Sequence, residues 1–116
     1  MPLGKGYTVA GLIAKLDCRV IVVARNRLGT INHTLLTVEC LQVLGFLRSE
    51  LTVVLMSDRT PDISSRDNQS TLEELLKPVI VLSIPFLRRQ VTSSLGTIRK
   101  SYSQIKKIVT KLAENA

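Results

Sequence analysis

Aromatic side chains make up only 3% of this 116-residue chain, and tryptophan is absent. Its core must therefore be aliphatic, and it lacks the interleaved aromatics on which single-stranded nucleic-acid binders stack bases. Cysteine is as scarce. Cys18 and Cys40 are too few for a disulfide framework and lack metal-ligand spacing, so both read as core thiols, where free cysteines usually lie. His33 is the sole histidine, which excludes any metal site or nucleophile relay needing several imidazoles. No apolar run is long enough to span a bilayer, and the first residues show no signal-peptide-like stretch. The expectation is a soluble, cytoplasmic protein with no membrane partner.

Acidic residues are few as well, nine against sixteen basic ones, for a net charge of +7. The excess is uneven. Residues 88–116 hold Arg88, Arg89, Arg99, Lys100, Lys106, Lys107 and Lys111 against Glu114, and so account for +6 of it. A basic terminal segment can bind nucleic acid or an anionic surface. With neither aromatic interleaving nor a nucleic-acid motif beside it, a solvated helix face is the preferred reading, and a nucleic-acid-binding module the weaker alternative.

What is present is a regular alternation of helical and strand patterns. Residues 8–16 place Val9, Leu12, Ile13 and Leu16 at helical spacing after Thr8, a natural N-cap. Arg19–Ala24 is a β-branched run that does not alternate, the pattern of a parallel strand buried on both faces. Thr30–Leu44 is helical in period, with Thr30 or Asn32 as N-cap and Gly45 as the stop. Leu51–Met56 reads as a second buried strand, followed by the polar loop Ser57–Asp67. Residues 68–76 form a short helix in which Ser70 and Glu73 are spaced as a capping box. Val79–Ser83 is a third strand, and a last amphipathic helix runs from Ser93 or Ser94 to Ala113.

This order predicts an α/β fold, a three-layer half-sheet of parallel strands joined by crossover helices. Ligands of such sheets bind beyond the carboxyl ends of the strands. Asn26–Asn32, Ser57–Asp62 and Ile84–Leu87 each follow a strand and are predicted to share that edge. The turn into the second helix carries Gly29, which lets an anion approach the uncapped N–H groups of a helix start. No G-x-x-x-x-G-K-[ST] phosphate loop occurs in these residues. Gly4-Lys5-Gly6 is too short and is not expected to follow a strand. Lys5, Lys15 and Lys77, the only lysines before the basic tail, lie in no phosphate-cradling context. Asp58, Asp62 and Asp67 read as turn-formers and caps before they read as magnesium ligands.

Leu28–Thr37, L-G-T-I-N-H-T-L-L-T, resembles the L-G-x-x-N-H-x-x-L-T signature of the dethiobiotin synthetases. Pro2-Leu3 resembles the end of that family's G-A-G-G-x-x-V-P-L segment, Ser57-Asp58 stands where the family usually has Asn-Asp, and Ile84-Pro85-Phe86-Leu87 resembles its I-P-x-L. The resemblance covers about residues 1–87, one α/β unit of phosphate-loop NTPase type, and leaves 88–116 as a separate basic amphipathic helix. It implies an enzyme that carboxylates diaminononanoate, activates the carbamate with ATP and magnesium, and closes a cyclic urea. It further implies that Gly29, Thr30, Ile31 and Asn32 bind the substrate carboxylate across a dimer interface. Ser57, Asp58, Ile84, Pro85 and Phe86 would then contact the adenine, with Ser57 lacking the amide of the usual Asn. The family's phosphate loop, catalytic lysine and magnesium-binding acids lie in its N-terminal half. The expectation is accordingly a C-terminal portion, inactive alone, with an N-terminal half and a second copy as partners. A non-catalytic interaction or remnant protein is the alternative. Val20–Val23, uncharged and normally paired with a strand of that other half, is expected to promote self-association.

Overall fold

The computed structural model describes residues 2–86 and 95–114. Leu87, Arg88, Arg89 and the predicted helix start at Ser93 or Ser94 lie outside the described residues.

Two short strands open the chain, β1 (Pro2–Gly4) and β2 (Tyr7–Thr8), paired antiparallel through a turn in which Gly6 has φ +83°. Gly4 thus does end a strand, contrary to the sequence reading, but Lys5-Gly6 reverses the chain instead of opening a helix. Helix α1 (Val9–Leu16) follows, with the Thr8 side chain accepting a hydrogen bond from the Gly11 N–H at 3.0 Å, the predicted cap.

The main sheet contains β3 (Val20–Asn26), β4 (Leu51–Ser57) and β5 (Ile80–Ile84), all parallel and in the spatial order β3-β4-β5. Helix α2 (Thr30–Val43) makes the crossover from β3 to β4, and α3 (Asn68–Leu75) the one from β4 to β5. Helix α4 (Leu95–Glu114) ends the described chain and touches β5. The α/β half-sheet read from the sequence is the observed fold. Among the described residues no helix is long and apolar enough to cross a membrane.

The core is aliphatic, as the lack of aromatics requires. Val53, Leu55 and Val81 from the sheet close against Val38 and Leu41 of α2 and Leu72 and Leu76 around α3. Each such side chain, fully buried, contributes on the order of 1.5–3 kcal/mol. Thr52, Val54 and Leu82 alternate with the first set along the strands, so they point to the opposite face, and they too are buried. Strand β4 is therefore covered on both sides, as its largely apolar, non-alternating run predicts.

Strand β3 is not. Val20, Val22 and Ala24 pack on the core, but Ile21 and Val23 are 51% and 61% exposed. The β-branched run was expected to be buried on both faces. One face is open instead, and the strand forms the sheet edge among the described residues, the free edge that the family resemblance implied, with β4 as its neighbour on one side only. Leu12 and Leu16 of α1 are likewise exposed, and only Ile13 of that helix packs on the core. Cys18 and Cys40 are both exposed rather than core thiols.

Helix ends account for two further differences. The α2 N-cap is Gly29, not Thr30 or Asn32, because Thr30 turns inward and is buried. Ser70 and Glu73 form no capping box, since α3 begins two residues before Ser70. The Ser70 hydroxyl donates to the Asp67 carbonyl at 3.0 Å, and Glu73 accepts from Gln69. The far end of α2 follows its prediction. Gly45, at φ +100°, and Phe46 donate to the carbonyls of Gln42 and Leu41, a Schellman closure that packs Phe46 on the core.

Candidate functional site

The parallel register sets the three carboxyl ends level. Asn26 lies opposite Ser57, and Met56 opposite Ile84. The three segments picked from the sequence therefore leave the sheet along one edge, where α/β folds bind ligands.

At the β3 end the chain turns through Arg27–Gly29 into α2. The Thr30 N–H donates to the Arg27 carbonyl at 3.1 Å, and the His33 N–H makes the first helical bond, to Gly29, at 3.2 Å. Between them lie the amides of Ile31 and Asn32, the groups an N-cap side chain ordinarily satisfies. Gly29 has no side chain to offer, and the structure shows no side-chain cap here. Gly29 sits at φ +91°, a region that disfavours other residues, and a Cβ built on it would meet nothing within 4 Å. The helix start thus combines free donors, the positive end of a fourteen-residue dipole and open space before it. Beside it is a cavity of about 310 Å³, lined among others by Arg25, Arg27, Thr30, His33 and Thr34. The Thr34 hydroxyl on its wall is buried and has no hydrogen-bond partner.

The turn is held from behind by a buried amide pair. Asn68 donates through Nδ2 to Asn26 Oδ1 at 2.9 Å and to the Arg27 carbonyl at 3.2 Å, and Asn26 Nδ2 donates to the Ser65 carbonyl at 3.0 Å. Asp62 completes the tie. Its Oδ2 accepts from the Leu28 N–H at 2.7 Å, while Oδ1 accepts from the Ser64 hydroxyl at 2.6 Å and the Ser65 N–H at 3.1 Å. These bonds, the Ser64 hydroxyl first and the Leu28 N–H next, hold the Asp62 carboxyl below the usual aspartate range. Asn68 was not among the residues singled out from the sequence. A buried Asn shows itself only once its partner, forty-two positions away, is known.

The residues assigned to a nucleobase divide. Ser57 and Pro85 line a second cavity of about 370 Å³, together with Ser83, Lys107 and Ile108. Helix α4 thereby brings a lysine to a place the sequence reading had given to loops alone. Ile84 is half-buried at the end of β5, and Phe86 is exposed at the exit. Asp58 pairs with Arg25 at 3.4 Å, towards β3. Leu87 lies outside the described residues.

Magnesium does not fit the described carboxylates. Asp62 has both oxygens engaged, Asp58 faces an arginine, and among the described residues no group of three His, Cys, Asp or Glu side chains is placed to hold a metal ion.

A family model described as an AAA domain matches residues 1–94, most of the chain and all three strands of the parallel sheet. The chain belongs to the AAA domain family. Curated proteins to which the chain is similar include ATP-dependent dethiobiotin synthetases. That of Bacillus subtilis (strain 168) is 40% identical over 75 residues, which are 65% of this chain and 32% of the relative. That of Bacillus velezensis is 36% identical over 88 residues, 75% of this chain and 37% of the relative. The match to the Nitrosopumilus maritimus enzyme, 26% identical, extends over 93% of this chain and 46% of the relative. No solved structure matches the chain. The chain thus spans 32% to 46% of the length of these relatives, and it shares a dethiobiotin synthetase relationship with them over most of its own.

Proposed function

We propose that this chain is the portion of a dethiobiotin synthetase that recognises the carboxylate end of diaminononanoate and the base of ATP, with the groups that act on the phosphates supplied by other residues. The observation that carries this reading is the uncapped start of α2. A carboxylate placed before Gly29 accepts from the Ile31 and Asn32 amides, and each charge-assisted bond of this kind is worth about 1.5–3 kcal/mol. The dipole adds about 0.3–1 kcal/mol, and Arg27 raises the local potential, Arg25 being paired with Asp58. The Asn32 side chain, exposed on the first turn, is free to donate to the same ligand.

The cavity holding Ser57 and Pro85 takes the base. Pro85 supplies an apolar surface and Ser57 one hydroxyl, in place of the amide that both donates and accepts. In this reading the substrate site closes against a second copy, the chain works in the cytoplasm, and neither nucleic acid nor membrane is a partner. ATP and magnesium belong to the whole enzyme, and this chain alone turns nothing over.

The alternative, a non-catalytic interaction protein on the same half-sheet, is favoured by one specific observation: these residues hold neither a phosphate loop nor a fitting set of carboxylates. Calorimetric titration separates the two readings. The chain is expected to bind diaminononanoate, and Asn32→Ala to weaken that binding while leaving ATP binding unchanged. Loss of both ligands to the same degree, or no binding of either, would remove the assignment.

A further inference from the structure

The cavity of about 370 Å³ beyond β4 and β5 is walled by Ser57, Ser83 and Lys107, with Pro85 and Ile108 as its apolar surfaces. The three polar groups differ in what they can offer a ligand. The Ser83 hydroxyl donates to Gln69 Oε1 at 2.6 Å. The other end of the same amide fixes that direction, because Gln69 Nε2 donates to Glu73 Oε1 at 3.0 Å and to the Val81 carbonyl at 3.3 Å, both of which only accept. Ser83 therefore turns only lone pairs to the cavity. Lys107, carried there by α4, has an ammonium that only donates, and the Ser57 hydroxyl rotates to do either. Among the described residues of this wall no side chain is an amide.

That set bears on which base is chosen. A side-chain amide matches N6 and N7 of adenine, one donor beside one acceptor, and cannot match O6 and N7 of a 6-oxopurine, which are both acceptors; a lysine suits the second pair. We propose that Lys107 and Ser57 widen the base site from adenine to the 6-oxopurines, so that the chain takes the triphosphates of hypoxanthine and guanine nearly as well as ATP. The inference rests on the proposed base site and concerns its selectivity. With adenine, N6–H donates to Ser83 and Lys107 donates to N7. With a 6-oxopurine, Lys107 donates to O6 and the Ser57 hydroxyl turns to donate to N7. Pro85 and Ile108 offer apolar contact that both rings use equally.

Inosine triphosphate is the probe, because it differs from ATP only in the 6-oxo group and the N1 proton. The isotopically labelled chain is titrated with each nucleotide while the amide resonances of Ser57, Ser83 and Lys107 are followed, which reads weak affinities and their place at once. Both nucleotides are expected to move these amides, with Kd values within about threefold of each other. Ser57→Asn is expected to weaken inosine triphosphate about tenfold relative to ATP. Lys107→Met, on an exposed side chain, is expected to weaken inosine triphosphate about tenfold and ATP by less, since adenine keeps its bond to Ser83. Binding of diaminononanoate should be unchanged in both variants. Inosine triphosphate bound tenfold or more weakly than ATP by the unaltered chain would overturn the inference. So would an equal response of the two nucleotides to Lys107→Met, or a ratio that Ser57→Asn leaves unmoved. Those results leave ATP at the cavity and spare the base site, whereas amides that neither nucleotide moves would remove the base site and the inference together.

Discussion

Removing the Asn68 amide should loosen the whole carboxyl edge of the sheet. Asn68→Ala deletes the donor to two acceptors, Asn26 Oδ1 at 2.9 Å and the Arg27 carbonyl at 3.2 Å. The first is in a fully buried bond and is left without a partner; the second is only part-buried and regains some water. At about 1–3 kcal/mol for a stranded buried group and less for the hydrated one, the sum is about 2–4 kcal/mol. In urea, where a domain of this size loses about 1–3 kcal/mol per molar, the midpoint should fall by about 1–2 M with an unchanged slope. Circular dichroism during titration reads it. Asn26→Ala should cost a similar amount, and the double variant less than the sum, because both delete the same bond. An unmoved midpoint, or strict additivity of the two, would refute the claim that this amide pair holds the turn before α2.

Three other outcomes follow from the geometry. Gly29→Ala meets no clash but keeps a non-glycine residue at φ +91°, so it should cost about 1–2 kcal/mol; a thermal shift of the opposite sign would show that the turn relaxes. Because the folded Asp62 carboxyl titrates below its ordinary value, the unfolded chain binds the proton more readily. The stability it contributes is therefore full above the ordinary aspartate range and is lost as pH falls through the folded value, so Asp62→Asn should flatten the acid limb of the stability profile. Arg48 donates through Nη1 to the carbonyls of Leu75 and Lys77 at 3.2 and 2.9 Å. Arg48→Ala should lower stability by about 0.5–1.5 kcal/mol, with Arg48→Lys restoring only part of it in the same denaturation assay.

The parts of the fold legible from sequence are those where local pattern and tertiary burial agree. Leu51–Leu55, apolar but for Thr52, is buried throughout because both faces of β4 are covered, and the Leu44-Gly45-Phe46 stop is a local hydrogen-bond motif. Val20–Val23 is as apolar but has one face exposed, and nothing within seven residues distinguishes that from full burial; its free edge was legible only through the family resemblance. The hairpin of β1 and β2 was missed because strands of three and two residues have no period to detect. Gly29 was singled out as the point of close approach, but the cap was placed on its polar neighbours, since Thr30 looks like a cap until tertiary packing turns it inward. The inward-facing amides of Asn26 and Asn68 and the lysine that α4 brings to Ser57 depend on contacts between distant segments. No spacing rule carries them.

The most direct measurement of the central claim is dethiobiotin formation from diaminononanoate, bicarbonate, ATP and magnesium. It would be made with the chain alone and with the chain co-expressed beside the portion of the B. subtilis enzyme it does not match. The chain alone should form none. The pair should form dethiobiotin, and Asn32→Ala in the pair should raise the KM for diaminononanoate and leave that for ATP unchanged. Turnover by the rigorously purified chain alone would contradict the account, as would an assembled pair whose activity is indifferent to Asn32.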